Sequence, residues 1–77
     1  MEYRLNFYGP FEERFGAHRT IQLEEGIHFY ELREKLEEAF KGLDAYPYTL
    51  AQEGAMKSDE EELSTSAIEV FPPFSGG

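Results

Sequence analysis

The residues with the clearest chemical potential are the last seven, FPPFSGG, at positions 71–77. Pro72 and Pro73 end a strand and favour an extended polyproline II segment. Gly76 and Gly77 carry no Cβ, so they fit a channel too narrow for side chains. A terminal carboxylate on Gly77 is ionised at neutral pH, with a pKa of about 3.3–3.7, and is a poor electrophile. The segment therefore predicts a main-chain carboxylate that another enzyme activates with ATP as an acyl-adenylate, and that a sulfur nucleophile then converts to a thiocarboxylate.

The aromatic residues of this segment predict a docking role. Phe74, just ahead of the two glycines, could anchor in an apolar pocket of a partner. Phe71 ends the preceding strand, and we expect an exposed apolar face around it to contact that partner. Fixing a free residue costs about 1–2 kcal/mol of backbone entropy, and the prolines lower that cost. We therefore assign partner binding to Phe71, Pro72, Pro73, Phe74 and Gly76, and the covalent site to Gly77.

Side-chain catalysis finds little support elsewhere in the sequence. There is no cysteine, which excludes a thiol nucleophile and a thiolate metal site, and two histidines alone do not make a zinc site. His18 lies in a polar stretch and His28 at a predicted helix start, so surface or capping roles are expected. No phosphate-binding loop or nucleotide fingerprint is present. We expect no catalytic site in this chain, no metal and no permanently bound cofactor.

Composition limits the classes of partner. The chain has 77 residues and a formal net charge of −9, from 16 acidic and 7 basic residues. Nucleic acid would require a basic face, so it is not an expected partner. The charge favours a partner with a basic surface, or it only keeps a small aromatic-rich domain soluble. The lack of cysteine suits a cytoplasmic location, and neither a signal peptide nor a membrane span is evident.

The elements that must position the C-terminal segment are short. Tyr3, Leu5 and Phe7 share one face of an alternating stretch, 2–8, which predicts a half-buried strand ended by Gly9-Pro10. The other predicted elements are a helical turn at 11–16 closed by Gly16, a strand at 19–23 followed by a turn at 24–26, the main helix at 29–41, a loop at 44–47, a strand at 48–52, a short hairpin partner at 55–56, an exposed polar loop at 57–62 and a last strand at 67–71.

The main helix shows an apolar stripe at spacings of three and four, which must face a sheet. Gly42 is placed as its C-terminal glycine, and Leu43 is expected to fold back on the stripe. Two pairs, Glu31 with Lys35 and Glu37 with Lys41, have the spacing for ion pairs along the helix. The stripe consists of Phe29, Leu32, Leu36, Ala39 and Phe40.

These elements predict an α+β domain at 1–71 and an extended tail at 72–77. The expected architecture is a mixed four- to five-stranded sheet packed on one main helix, with the first and last strands as central neighbours. That order suits a ubiquitin-like β-grasp, and the pattern alone leaves a split β-α-β arrangement open. Pro72 cannot donate a ladder hydrogen bond, so pairing should stop near it.

FPPFSGG closely resembles the Phe-Pro-Pro-x-x-Gly-Gly ending of molybdopterin synthase small subunits, which belong to the MoaD/ThiS group of ubiquitin-like sulfur carriers. The opening YRLNFYGPFEERFG is similar to the strand and short glycine-ended helix of that group. The resemblance implies adenylation of Gly77 by an activating enzyme, thiocarboxylation by a sulfur donor, and insertion of the tail into a large synthase subunit. There the sulfur would pass to cyclic pyranopterin monophosphate, with two carriers for each large-subunit dimer in a heterotetramer.

Other roles share the same terminal chemistry and remain open. A sulfur carrier for thiamine synthesis or tRNA thiolation, or a ubiquitin-like protein modifier, would also use a Gly-Gly end. The Pro-Pro step favours the molybdopterin branch of the resemblance. A second class is a plain interaction module that makes no use of its tail.

Overall fold

The computed structural model describes residues 1–73. Its five strands form one sheet in the order β2-β1-β5-β3-β4. A short helix, α1, lies between the first two strands, and the main helix, α2, follows the second. The bounds are β1 Glu2–Phe7, α1 Pro10–Phe15, β2 His18–Gln22, α2 Phe29–Ala39, a 3-10 turn at Leu43–Ala45, β3 Thr49–Gln52, β4 Ala55–Met56 and β5 Ala67–Phe71.

The first and last strands are the central neighbours of the sheet, as the sequence predicted. They pair in parallel, with Leu5 opposite Ile68 and Phe7 opposite Val70. The other pairings, of β1 with β2, β3 with β5 and β3 with β4, are antiparallel. Because β5 lies in the middle of the sheet, its C-terminal end emerges between two strands rather than at an outer edge.

One face of the sheet is packed against α2. Phe29, Leu32, Leu36 and Phe40 of the helix stripe meet the alternating inward residues of β1, β3 and β5, and Leu43 folds onto the same core as expected. Ala39, which the sequence placed in the stripe, is exposed. Burying one such side chain contributes about 1.5–3 kcal/mol, which matters in a chain with no disulfide. The residues with no exposed surface are Leu5, Phe29, Leu32, Leu36, Leu43, Leu50, Ile68, Val70 and the amide side chain of Gln52.

The main helix is shorter than predicted and uses its acidic residues differently. It ends at Ala39, with Phe40 as the C-terminal cap, because Phe40 turns into the core and leaves helical geometry. The predicted pairs of Glu31 with Lys35 and Glu37 with Lys41 do not form. The Glu31 carboxylate instead accepts a 3.0 Å hydrogen bond from the His28 backbone N–H. Glu37 accepts a 2.6 Å hydrogen bond from the hydroxyl of Tyr48.

Two loops have more structure than their polar sequences indicated. The predicted loop at 44–47 begins inside a 3-10 turn, preceded by Gly42 in the left-handed region at φ 93°. The exposed loop at 57–62 covers the N-terminus of α2. The carbonyls of Glu61 and Asp59 accept hydrogen bonds from the N–H groups of Phe29 and Tyr30, at 2.9 and 3.1 Å. A helix start leaves several N–H groups without partners inside the helix, and this loop satisfies two of them.

The buried amide of Gln52 holds the chain that leads into β5. Its Nε2 donates to the carbonyls of Thr65 and Ala67, at 2.7 and 3.0 Å. Its Oε1 accepts from the backbone N–H of Ser64 at 2.7 Å. Within residues 1–73, no buried side-chain nitrogen or oxygen lacks a hydrogen-bond partner. The polar core residue is therefore fully satisfied, and it fixes where the last strand begins.

Candidate docking site at the end of the last strand

The end of β5 places part of the predicted site in the described structure. Phe71 is the last residue of the strand and is half-buried, Pro72 is half-buried outside the strand, and Pro73 is exposed. The strand ends directly before Pro72, as predicted, since proline cannot donate to the ladder. Phe74, Gly76 and Gly77, to which the sequence assigned the anchor and the covalent site, lie outside the described residues.

Tyr8 is the main functional candidate that the sequence interpretation missed. Its ring stacks on the ring of Phe71 with centroids 4.6 Å apart and planes at 9°. Its backbone N–H donates to the carbonyl of Val70 at 3.2 Å, so contact between the two central strands extends one residue past β1. A stacked aromatic pair contributes about 0.5–1.5 kcal/mol beyond its buried area. The apolar face predicted around Phe71 therefore includes two stacked rings, those of Tyr8 and Phe71.

The polar end of Tyr8 is also fixed. Its hydroxyl donates to Oε2 of Glu69 at 2.8 Å. This hydrogen bond to the carboxylate raises the pKa of the Tyr8 phenol above its ordinary value, with smaller contributions from burial and the charge of Glu69. The hydroxyl therefore stays protonated at neutral pH and acts as a hydrogen-bond donor rather than a base.

The stacked pair forms one wall of an open depression on the face of the sheet that α2 does not cover. The depression has a volume of about 310 Å³, and Met56 at its rim has 60% of its surface exposed. We call this surface the docking patch. It is lined by Tyr8, Ala51, Gly54, Met56, Glu69 and Phe71.

The β3–β4 hairpin places Met56 beside the patch. Glu53 and Gly54 both have positive φ, 52° and 77°, which is the geometry of a two-residue type I′ turn. The turn pairs Gln52 with Ala55 and Ala51 with Met56. Since Ala51 also pairs with Glu69 of β5, the hairpin brings Met56 to the same region of the sheet as the docking patch.

Gly9 contacts the first residue of the C-terminal segment. It has φ 61° and ψ −138° and precedes α1, whose first residue is Pro10. A Cβ on residue 9 would lie 3.0 Å from Cγ of Pro72, closer than nearly all real contacts of a Cβ. The backbone of Gly9 and the ring of Pro72 are therefore packed together at the point where the chain leaves the sheet.

The two histidines have the structural roles that the sequence predicted. His28 is the N-cap residue of α2 in a capping box with Glu31. His18 is exposed, and its Nδ1 lies 2.8 Å from Oδ1 of Asn6. Residues 1–73 contain no group of three or more His, Cys, Asp or Glu side chains arranged to hold a metal ion. They also contain no helix long and apolar enough to cross a membrane.

The described site can bind a partner protein, and it lies beside Pro72 and Pro73, where the C-terminal segment begins. It offers an apolar stacked pair, an exposed thioether and one carboxylate, Glu69, whose hydrogen bond to Tyr8 is already made. Apolar anchors with a polar group among them are typical of a protein-binding surface. The alternation of side chains along β1 could have identified Tyr8. It places Tyr8 on the face of the sheet opposite Phe7, which is also the face on which Phe71 lies.

Solved structures share this architecture. SAMP1 from Haloferax volcanii superposes with a TM-score of 0.77 over 100% of both chains, at 13% sequence identity. A structure described as a candidate molybdopterin converting factor, subunit 1, from Pyrococcus furiosus superposes with a TM-score of 0.81. It covers 95% of this chain and 98% of that chain at 21% identity. The fold is a ubiquitin-like β-grasp. The split β-α-β alternative is thereby excluded. No protein-family model and no curated protein matches the sequence.

Proposed function

We propose that this protein is a ubiquitin-like sulfur carrier, and specifically the small subunit of a molybdopterin synthase. The observation that carries the proposal is the place where β5 ends and the chain continues into Pro72 and Pro73. The central strand β5 runs straight into Pro72 and Pro73 beside an uncovered apolar patch. Two glycines follow within four residues of those prolines. Delivery of a C-terminal acyl group requires a body that docks on a partner and a slender end that enters it.

The reaction on Gly77 proceeds in two steps, both catalysed by a separate activating enzyme. A carboxylate oxygen of Gly77 attacks the α-phosphorus of ATP, and pyrophosphate leaves. Hydrosulfide, or an equivalent sulfur donor at the same oxidation level, then attacks the acyl carbon, and AMP leaves. The product is a thiocarboxylate, with no change of oxidation state at carbon or sulfur. No side chain of the β-grasp body takes part in either step.

Delivery takes place in a large synthase subunit, with two carriers for each large-subunit dimer. The docking patch binds the large subunit, Phe74 anchors the segment in an apolar pocket of that subunit, and Gly76 fits a channel too narrow for side chains. The sulfur of the thiocarboxylate attacks a carbon of cyclic pyranopterin monophosphate, and an oxygen substituent leaves that carbon. Water then hydrolyses the resulting thioester, which leaves the sulfur on the acceptor and restores the Gly77 carboxylate. The two similar structures support this proposal at the level of fold, and FPPFSGG supports it at the level of chemistry.

Intact-mass spectrometry tests the proposal directly. The purified chain is first weighed to establish that it ends at Gly77. It is then incubated with an activating enzyme, ATP and hydrosulfide, and the mass should rise by the difference between one sulfur and one oxygen atom. A chain extended by one alanine after Gly77 is the matched control, since it keeps the fold and hides the acceptor. No gain in mass, or an equal gain in the extended chain, would contradict the proposal.

Two further readouts separate the related roles. Loaded carrier mixed with the large subunit and cyclic pyranopterin monophosphate should lose its sulfur, whereas a carrier for thiamine or tRNA thiolation should keep it. A ubiquitin-like modifier should instead form isopeptide conjugates on lysines in a lysate supplied with ATP. An interaction module with an unused tail should show none of these reactions and still bind its partner through the docking patch.

A further inference from the structure

The contact between the two central strands continues past the end of their hydrogen-bonded ladder. The ladder ends with Phe7 opposite Val70. The next two residues of each strand meet in the same register. Tyr8 stacks on Phe71, and Gly9 packs against Pro72. Pro72 has no N–H, so the ladder cannot extend to it, and packing contacts replace the missing hydrogen bonds.

The Tyr8 contact is held at three points. The backbone N–H donates to Val70, the ring lies parallel to Phe71, and the hydroxyl donates to Glu69. These three partners are consecutive residues of β5. The ring of Tyr8 therefore cannot turn away from Phe71 without breaking the bond to Glu69.

The Gly9 contact depends on the absence of a side chain. Its φ of 61° is a conformation that other residues rarely adopt. The position of a Cβ on residue 9 would also lie 3.0 Å from Cγ and 3.5 Å from Cδ of Pro72. A larger residue would require the proline ring to shift by a few tenths of an ångström, and we expect that shift to change the direction of the chain at Pro72.

We propose that Tyr8 and Gly9 are positioning residues that hold Phe71 and Pro72, so that the C-terminal segment leaves the sheet in one direction. The inference rests on the proposed function, because a fixed direction matters when the segment must enter a partner's channel. Holding the base of the segment lowers the entropy lost on docking. Neither residue touches the reacting carboxylate, and their effect is carried by Phe71 and Pro72.

A comparison of two glycine variants provides the test. Gly26 also has positive φ, 77°, but a Cβ there would lie 3.6 Å from Oε1 of Glu62, an ordinary contact. G26A therefore controls for the positive φ that the two glycines share, and only G9A brings a Cβ into close contact with Pro72. The Cα–Hα residual dipolar couplings of Pro72 and Pro73 are measured by NMR in a weakly aligned sample. In the wild type and in G26A they should fit the alignment tensor of the sheet, and in G9A they should depart from it.

Tyrosine variants supply a second measurement if G9A does not fold. Y8F keeps the stacked ring and should leave the couplings of Pro72 and Pro73 close to those of the wild type. Y8A removes the ring and should reduce them. Wild-type couplings averaged near zero, or couplings unchanged in both G9A and Y8A, would overturn the proposal.

Kinetics link the position of the segment to sulfur loading. With the activating enzyme, G9A should lower kcat by about five- to thirtyfold, the cost of ordering roughly one more residue. KM should change little, since Gly9 does not line the docking patch, and G26A should match the wild type in both constants. If wild-type protein is never loaded while its couplings fit the sheet, the proposed function fails and the positioning stands. If G9A is loaded at the wild-type rate, the positioning fails and the proposed function stands.

Discussion

The two faces of the sheet differ in what their aromatic residues do. On the face covered by α2, Phe7 contacts Phe40 edge-on, with ring centroids 5.2 Å apart, and is 1% exposed. On the uncovered face, Tyr8 stacks flat on Phe71 and is 38% exposed. Phe7 and Tyr8, whose rings lie on the two faces, are consecutive residues where β1 ends. The covered face has exchanged its contact with water for packing, whereas the uncovered face retains apolar surface that a partner can bury.

This difference separates stability from binding. Side chains on the covered face lose contacts that nothing else can replace when they are truncated, because interiors are close-packed. Exposed side chains on the uncovered face, such as Met56, are already in water, so their truncation changes little until a partner arrives. Four predictions test this separation, from the largest expected effect to the smallest.

The largest effect is expected from F29A, in the helix that packs on the covered face of the sheet. Phe29 has no exposed surface, and its loss should lower the free energy of unfolding by about 3–5 kcal/mol. Y30A is the matched control, since Tyr30 is the next residue of the same helix and is 51% exposed, so its cost should stay below about 1 kcal/mol. Urea denaturation followed by circular dichroism measures both. Equal losses in the two variants would contradict the assignment of stability to the covered face.

The next effect concerns the polar edge of the covered face. Q52A removes the amide that binds Ser64, Thr65 and Ala67, and should cost about 1–3 kcal/mol because these backbone groups lose their partner. Amide hydrogen exchange should also quicken at 64–67, where β5 begins. Q22A, at an exposed position of β2, is the control and should leave both measurements unchanged. Unaltered exchange in Q52A would show that Gln52 does not hold this connection.

The uncovered face should respond to M56A in binding and not in stability. Met56 and Tyr46 are similarly exposed, at 60% and 59%, but only Met56 lines the docking patch. M56A should weaken binding of the large subunit by about 1 kcal/mol or more, as measured by titration calorimetry, and Y46A should not. Both variants should unfold within about 0.5 kcal/mol of the wild type. A greater loss of affinity in Y46A would place the partner on a different surface.

The smallest effect is a pH dependence at the start of α2. The backbone N–H of His28 holds the pKa of Glu31 below its ordinary value. A lowered pKa in the folded state adds stability that is present above the ordinary glutamate pKa, about 4.3, and is lost as pH falls through the folded value. E31Q should therefore show a smaller loss of stability on acidification below about pH 4.3 than the wild type. E34Q, on the exposed side of the same helix, should follow the wild-type curve.

The sequence predicted the order of the elements and most of the core because periodicity is a local property. Alternation placed Leu5 and Phe7 inward, and the three-and-four spacing placed Leu32 and Leu36 on the buried face of the helix. The predictions of the helix end and of the charged partners were less accurate. Glu31 and Glu37 each accept a hydrogen bond from a nearer donor than the predicted lysine. The choice of partner depends on which donor the fold brings nearest: His28 is three residues from Glu31, and Tyr48 is eleven residues from Glu37.

The sequence likewise predicted only part of the docking site. Phe71, Pro72 and Pro73 could be singled out from composition and position. Tyr8 could be connected to Phe71 only by combining its outward position with the predicted pairing of the first and last strands, and Gly9 could not be connected at all. They are more than sixty residues away along the chain, and no local pattern connects them to the C-terminal segment. The parallel pairing of β1 with β5 brings them together.

By itself, the sequence determined the strand and helix periods, the stop at Pro72 and the Gly-Gly ending, because these depend on backbone preferences of single residues and their neighbours. Only the tertiary structure decided that Tyr8 would stack on Phe71, that Gly9 would meet Pro72 and that Gln52 would hold the start of β5. Those contacts follow from strand register, which is set by packing across the whole sheet.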